Sequence, residues 1–291
     1  MSLADLYSDD RVALSFELFP PKSQEGVQTL LTAVDELMKF SPAYFTCTYG
    51  AGGSTQDRTL QVATAVLQKT GKPVASHLTC VNATIEDLRG YLTRARAAGV
   101  QYIVALRGDP PKGETQFRMT EGGLRYANEL VELIRGEFAD LDIAVAGYPE
   151  VHQEAVDADA DLANLKRKVD AGGSIVITQL FYQNEDFFRF RDRCHAAGID
   201  VPIVPGIMPV TNLGQIQRIT SMCKAALPNS FVSRLGERED AAWQFDVGVD
   251  FARKQVQGLL ESGIPGLHFY VLNKSQATAA VLEVIDPFSS C

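Results

Sequence analysis

Short apolar runs rich in β-branched and aromatic residues recur along the chain, and each is followed by a segment whose apolar positions return every three to four residues. The runs read VALSFELF, AYFTCTY, PVASHLTC, YIVALRG, DIAVAGY, SIVITQL, PIVPGIM and LHFYVL, and end near 19, 49, 80, 108, 148, 180, 208 and 272. Helical period covers 27–39, 58–69, 85–98, 124–138, 162–171, 185–197, 213–226 and 276–285, and a further long helix is predicted over 238–262, before the last strand. Gly71, Gly99, Gly172 and Gly198 fall where helices should stop. Strands apolar on both faces, in strict alternation with helices, belong to a parallel sheet covered on both sides. Eight such units predict a (β/α)8 TIM barrel with an extra helix before the last strand, with an open doubly wound sheet as the second choice.

Composition narrows the function classes. The chain has 291 residues, 46% hydrophobic and 22% charged, with a formal net charge of -9, the profile of a folded globular protein. That charge gives no general attraction to nucleic acid or to an anionic membrane, so neither is expected as a partner. MSLADLYSDD lacks the basic start and apolar run of a signal peptide, which points to the cytoplasm. No linker or low-complexity tract divides the sequence, so a single domain over 1–291 is expected. The five cysteines form no C-x-x-C pair and the four histidines no H-x-x-x-H pair, so no metal site is expected.

A barrel directs attention to the C-terminal ends of its strands, where such folds assemble their sites. Polar residues stand at seven of those eight ends: Glu17, then Thr48 and Tyr49 before GAGGST, His77, Arg107-Gly108-Asp109, Tyr148 with His152, Gln179, and Asn273-Lys274. Glu17 is the most demanding, since a carboxylate in an apolar strand is costly unless paired or used. The GAGGST turn fits neither the dinucleotide nor the P-loop fingerprint. On the fifth helix Asp161, Asn164 and Lys168 share one face with Arg167 on its flank, a set suited to a pyrophosphate and its ribose, or to a solvated helix end.

Taken together, SFELFPPKS (15–23), TYGAGGST (48–55), HLTC (77–80), ALRGDPP (105–111), GYPEVHQEA (147–155), NLKRKVDAG (164–172), ITQLFY (177–182) and HFYVLN (268–273) resemble the methylenetetrahydrofolate reductases, in order and from end to end. The resemblance implies non-covalent FAD, with NADH or NADPH as electron donor and 5,10-methylenetetrahydrofolate as the substrate reduced to 5-methyltetrahydrofolate. It assigns flavin contacts to Tyr49, Ala51, His77, Arg107, Gly108, Asp109 and Ala127, and to Tyr148, His152, Ala155, Asp161, Asn164, Arg167 and Lys168. Thr48 matches a nicotinamide-binding threonine, and Gln179, Gln215 and Lys274 match folate contacts. The resemblance to bacterial members implies a preference for NADH and a homo-oligomer.

Opening of the substrate's methylene bridge to a 5-iminium cation needs a proton on N10. Glu17 is the expected general acid, its pKa raised by the apolar strand end. Asp109 is expected to stabilise the cation and tune the direction of hydride transfer. Gln179 is expected to bond first the nicotinamide carboxamide and then the pterin, in one pocket and therefore with ping-pong kinetics. Two positions depart from the pattern: Ile219 stands where some bacterial members have Phe, and Lys274 where some have Arg. The sequence ends shortly after the last predicted helix, so no adenosylmethionine-binding regulatory domain is expected. Other readings are a flavin-dependent oxidoreductase for another pterin, a metal-dependent barrel hydrolase using His77, Asp109 and His152, and a flavin-less scaffold.

Overall fold

The computed structural model describes residues 1–8, 11–49, 56–110, 113–114 and 116–285. Ala51, the rest of the 50–55 turn, and the last residues therefore lie outside the described residues. Nine parallel strands form one sheet in the order β7-β6-β5-β4-β3-β2-β1-β9-β8. They are β1 Ala13–Leu18, β2 Tyr44–Cys47, β3 Val74–Thr79, β4 Tyr102–Leu106, β5 Asp142–Gly147, β6 Ile175–Thr178, β7 Ile203–Val204, β8 Gly206–Ile207 and β9 Gly266–Tyr270. β7 and β8 are one predicted strand, PIVPGIM, interrupted at Pro205, which has no N–H to give to a ladder. β7 pairs with β6 and β8 with β9, so the ring closes across that proline, and the Pro205 carbonyl accepts from the His268 N–H at 3.0 Å. The eight-stranded barrel is present.

The helices are α1 Gln24–Met38, α2 Gln56–Thr70, α3 Ile85–Ala97, α4 Ala127–Glu137, α5 Ala158–Asp170, α6 Asn184–Ala196, α7 Leu213–Cys223, α8 Asn229–Gly236, α9 Ala241–Glu261 and α10 Gln276–Leu282. Their starts follow local chemistry. Asp157 accepts from the Ala160 N–H, so α5 begins earlier than its apolar period suggests, and Glu129 accepts from the Arg125 and Tyr126 N–H groups, so α4 begins later. Gly99 ends α3 with a left-handed φ of 85°, as expected. The extra helix before the last strand is present, and packing shows how it arises: α9 takes the ring position between α6 and α10, leaving α7 and α8 as the added pair. The 229–236 helix was not apparent in the sequence, because its buried residues, Phe231 and Leu235, face a small satellite core with Tyr182, Met208, Val210 and Ile216.

Strand alternation divides the core. Leu14, Phe16 and Leu18 point outward onto Leu30, Val34 and Leu37 of α1, while Ala13, Tyr44, Ala75, Tyr102 and Ala144 fill the barrel's N-terminal end. A 3-10 turn, Ala4–Tyr7, seals that end: Leu3 and Tyr7 are buried there, and the Tyr7 hydroxyl meets that of Tyr44 at 2.7 Å. Among the described residues no helix is long and apolar enough to cross a membrane.

Candidate active site

Three adjoining cavities open at the C-terminal end of the barrel. The central one, about 460 Å³, is lined by Glu17, Thr48, Tyr49, His77, Arg107, Gly108, Asp109, Tyr148, His152 and Gln179, with Ile219 at its edge. It shares Arg107, Tyr148 and His152 with a wider cavity of about 830 Å³, which adds Ala127, Ala155, Asp161, Asn164, Arg167 and Lys168. On its other side it shares Met208, Ile219 and Tyr270 with a cavity of about 290 Å³ that holds Gln215 and Lys274. Every candidate residue within the described part of the chain therefore lines one continuous trough.

At the centre the surroundings of Glu17 differ from the expectation of an apolar strand end. Register pairs Ser15 with His268 and Glu17 with Tyr270 across β1 and β9, so these four inward positions meet. Glu17 Oε2 lies 3.5 Å from His77 Nε2 and 3.8 Å from His268 Nε2, and Ser15 Oγ is 2.8 Å from His268 Nδ1. Ser15, His268 and Glu17 form a chain leading from the barrel interior to the cavity. Burial lowers the pKa of His77, against the pull of Glu17, so its imidazole is neutral near pH 7. Tyr270 donates to the Thr178 carbonyl at 2.6 Å. Its ring and that carbonyl crowd Gly206, where an added Cβ would come within 2.6 and 2.3 Å of them. Among the described residues the buried hydroxyls of Thr48 and Thr79 make no hydrogen bond. Gln179 uses Oε1 to accept from the Leu180 N–H, which leaves its amide nitrogen for the cavity.

The wide cavity is a cationic cradle in an acidic protein. Lys168 is half-buried, its ammonium donates to the Ala146 carbonyl, and burial pulls its pKa down to about 8 although Asp161 opposes the shift. A cation in that state gains from an anionic ligand. Arg167 donates to Asn164 Oδ1 at 2.5 Å on the exposed face. Arg107 is forked onto Glu154 at 2.5 and 2.7 Å, a pairing the sequence reading did not anticipate. Glu154 also donates its N–H to His152 Nδ1 at 3.1 Å, so the neutral ring carries its proton on Nε2. Burial and the neighbouring Arg107 lower the His152 pKa, and the backbone N–H of His152 is anchored on Asp161 Oδ2 at 2.9 Å. Gly108 turns the chain between Arg107 and Asp109 with φ 88°, where a Cβ would come within 2.9 Å of Thr79 and Val81.

These residues fit an elongated anionic cofactor: half-buried Lys168 with Arg167 and Arg107 for phosphates, and a polar central cavity for a ring system. Among the described residues no group of three or more His, Cys, Asp or Glu could hold a metal ion. The residues missed by sequence reading are Ser15, His268, Tyr270 and Glu154. Alternation in LHFYVL puts His268 and Tyr270 on one face, but only the register with β1 brings them to Glu17.

Fold and site define a parallel α/β barrel with a polar trough at the C-terminal ends of its strands, where barrels of this kind carry their chemistry. The family model of methylenetetrahydrofolate reductase matches residues 2–286. The 5,10-methylenetetrahydrofolate reductase of Escherichia coli is 41% identical over 285 residues, covering 98% of this chain and 93% of that one. A maize relative, methylenetetrahydrofolate reductase (NADH) 1, is 39% identical over 94% of this chain, which spans about half its length at 48%. Among solved structures, an uncharacterised Clostridium thermocellum protein that binds two copies of 5-methyl-5,6,7,8-tetrahydrofolic acid superposes with a TM-score of 0.63 at 13% identity, over 93% of both chains. The chain belongs to the methylenetetrahydrofolate reductase family.

Proposed function

We propose that the protein reduces 5,10-methylenetetrahydrofolate to 5-methyltetrahydrofolate with electrons from NADH or NADPH, by way of non-covalently bound FAD. The observation that carries this reading is Glu17, a carboxyl group held between two imidazoles at the floor of a cavity continuous with both a cationic cradle and an apolar pocket. When bound, FAD supplies a two-electron relay between the nicotinamide and the folate. Arg167, Lys168 and Arg107 would hold its phosphates, and Asp161 and Asn164 its ribose or base.

The remaining steps belong to side chains of the chain itself. Glu17 gives a proton to N10, which breaks the bond from N10 to the bridging carbon and leaves the 5-iminium cation; hydride addition there completes the methyl group. Burial lowers the basicity of the neighbouring His77 imidazole, which faces the Glu17 carboxyl at 3.5 Å. The Ser15 hydroxyl, 2.8 Å from His268 Nδ1, fixes the His268 ring beside Glu17. Asp109, on the exposed rim of the same cavity, supplies negative charge that favours the cation. Gln179 serves the nicotinamide carboxamide and the pterin in turn, and the orphaned Thr48 hydroxyl is available to the nicotinamide. Gln215, Ile219 and Lys274 line the small cavity that would take the rest of the folate, with Lys274 meeting its carboxylates as a point charge. The same reading takes residues 1–291 as a single catalytic barrel working in the cytoplasm, with no part for nucleic acid.

The test is an anaerobic spectrum. NADH should bleach the flavin band of the purified protein, and methylenetetrahydrofolate should restore it. A colourless protein that also fails to take up added FAD contradicts the flavin reading; bleaching without recovery contradicts the folate.

A further inference from the structure

Backbone pairing between β1 and β9 stops at Glu17 and Tyr270. Two residues beyond Glu17, Phe19 is again tied to the neighbouring segment, now through a side chain. Its N–H donates to Asn273 Oδ1 at 2.8 Å, and its carbonyl accepts from Asn273 Nδ2 at 2.6 Å. One carboxamide supplies donor and acceptor together, so Asn273 imitates one more rung of the ladder.

The chain bends sharply to bring it there. The Lys274 N–H donates to the Val271 carbonyl at 2.8 Å, and the two residues inside this turn, Leu272 and Asn273, have left-handed φ values of 48° and 58°. Two successive positive φ values are the pattern of a turn that ordinarily holds Asn-Gly; Asn tolerates the region, whereas Leu is uncommon in it. Leu272 is 39% exposed, so burial of its side chain does not account for the conformation. Strained backbone persists where its surroundings over-determine it, and it collects at ligand sites.

The turn does account for the direction of Lys274. Leu272 and Lys274 line the small cavity beside Gln215 and Ile219, while on the far side of the clamp the strand end presents Glu17 to the central cavity. We propose that Asn273 is a positioning residue for the folate half of the reaction. Its carboxamide locks the loop that presents Lys274 to the strand that presents Glu17, so that folate recognition and proton delivery share one register. The proposal rests on the folate reading above.

Asn273→Gly accepts the left-handed φ at 273 without added strain while removing both hydrogen bonds, so it tests the clamp alone. Asn273→Asp keeps an acceptor for the Phe19 N–H but sets a carboxylate against the Phe19 carbonyl. Both variants should retain parental flavin content and a rate of bleaching by NADH within about twofold. Reoxidation by methylenetetrahydrofolate should fall roughly 10- to 100-fold, with KM for the folate raised at least about tenfold. Reoxidation within about twofold of the parent, or equal losses in both half-reactions, overturns the proposal. If Asn273→Gly does not fold, Asn273→Asp is judged by the same comparison. A parent protein that bleaches without recovering strikes the folate reading instead, which keeps the two failures apart.

Discussion

The two ends of the barrel are built from the same strands and the same alternation, yet they treat polar groups in opposite ways. At the N-terminal end Asp142 is saturated. It accepts from the Leu3 N–H at 2.6 Å, from Arg135 at 2.6 Å and from Ser174, and although burial acts against its charge, these bonds hold its carboxyl below the usual range. Tyr7 and Tyr44 satisfy each other at the same end of the barrel. At the C-terminal end Glu17 has, among the described residues, the longer approaches of two imidazoles, the Thr48 and Thr79 hydroxyls have no described partner, and Lys168 is held as a poorly stabilised cation. Native proteins rarely leave buried polar atoms unpaired without a reason. The N-terminal end completes the bonds of its buried carboxylate, whereas several buried polar groups at the C-terminal end have no described partner, which suits that end to the proposed ligands.

Asp142→Ala should break this contrast most strongly. Losing the carboxylate strands Arg135, Ser174 and the Leu3 N–H together, and should destabilise the fold by about 2–3 kcal/mol in urea unfolding, with residual folded protein still binding flavin. A loss under about 0.5 kcal/mol would remove the closed end from the comparison. At the open end, flavin affinity should depend on pH through Lys168. An anion needs the ammonium, which is charged below about pH 8, so affinity should be flat there and fall above it, by at most about tenfold per pH unit. Because the folded pKa lies below the ordinary value of 10.5, the cofactor-free protein should gain stability as pH rises from about 8 toward that value. Lys168→Met should abolish both trends, and a titration in which it does not would remove Lys168 from the phosphate site.

The smallest effects give the sharpest comparison. Tyr7→Phe removes one made hydrogen bond and should cost about 1 kcal/mol. Thr48→Val removes a hydroxyl without a described partner and should change stability by less than about 0.5 kcal/mol, while raising KM for the nicotinamide. Equal stability costs for the two would erase the distinction between the ends.

The barrel and most of the trough were legible in the sequence because both follow from strand order: apolar runs give the strands, and their last polar residues must share one mouth. What was not legible depends on register or on chain bends. His268 joins Glu17 only because Ser15 lies opposite it, and Glu154 reaches Arg107 from 47 residues away. The break at Pro205 and the left-handed turn at Leu272 are backbone geometry that an apolar period does not encode. The apolar surroundings expected for Glu17 were read from its neighbours in sequence, whereas its neighbours in space are imidazoles.

The central claim is that the open end delivers a proton from Glu17. Glu17→Gln keeps the shape of the side chain and removes the acid, so its two half-reactions should separate under anaerobic conditions. The account predicts parental FAD binding and bleaching by NADH, with reoxidation by methylenetetrahydrofolate slowed at least about 100-fold. Recovery of the flavin band at the parental rate would contradict it.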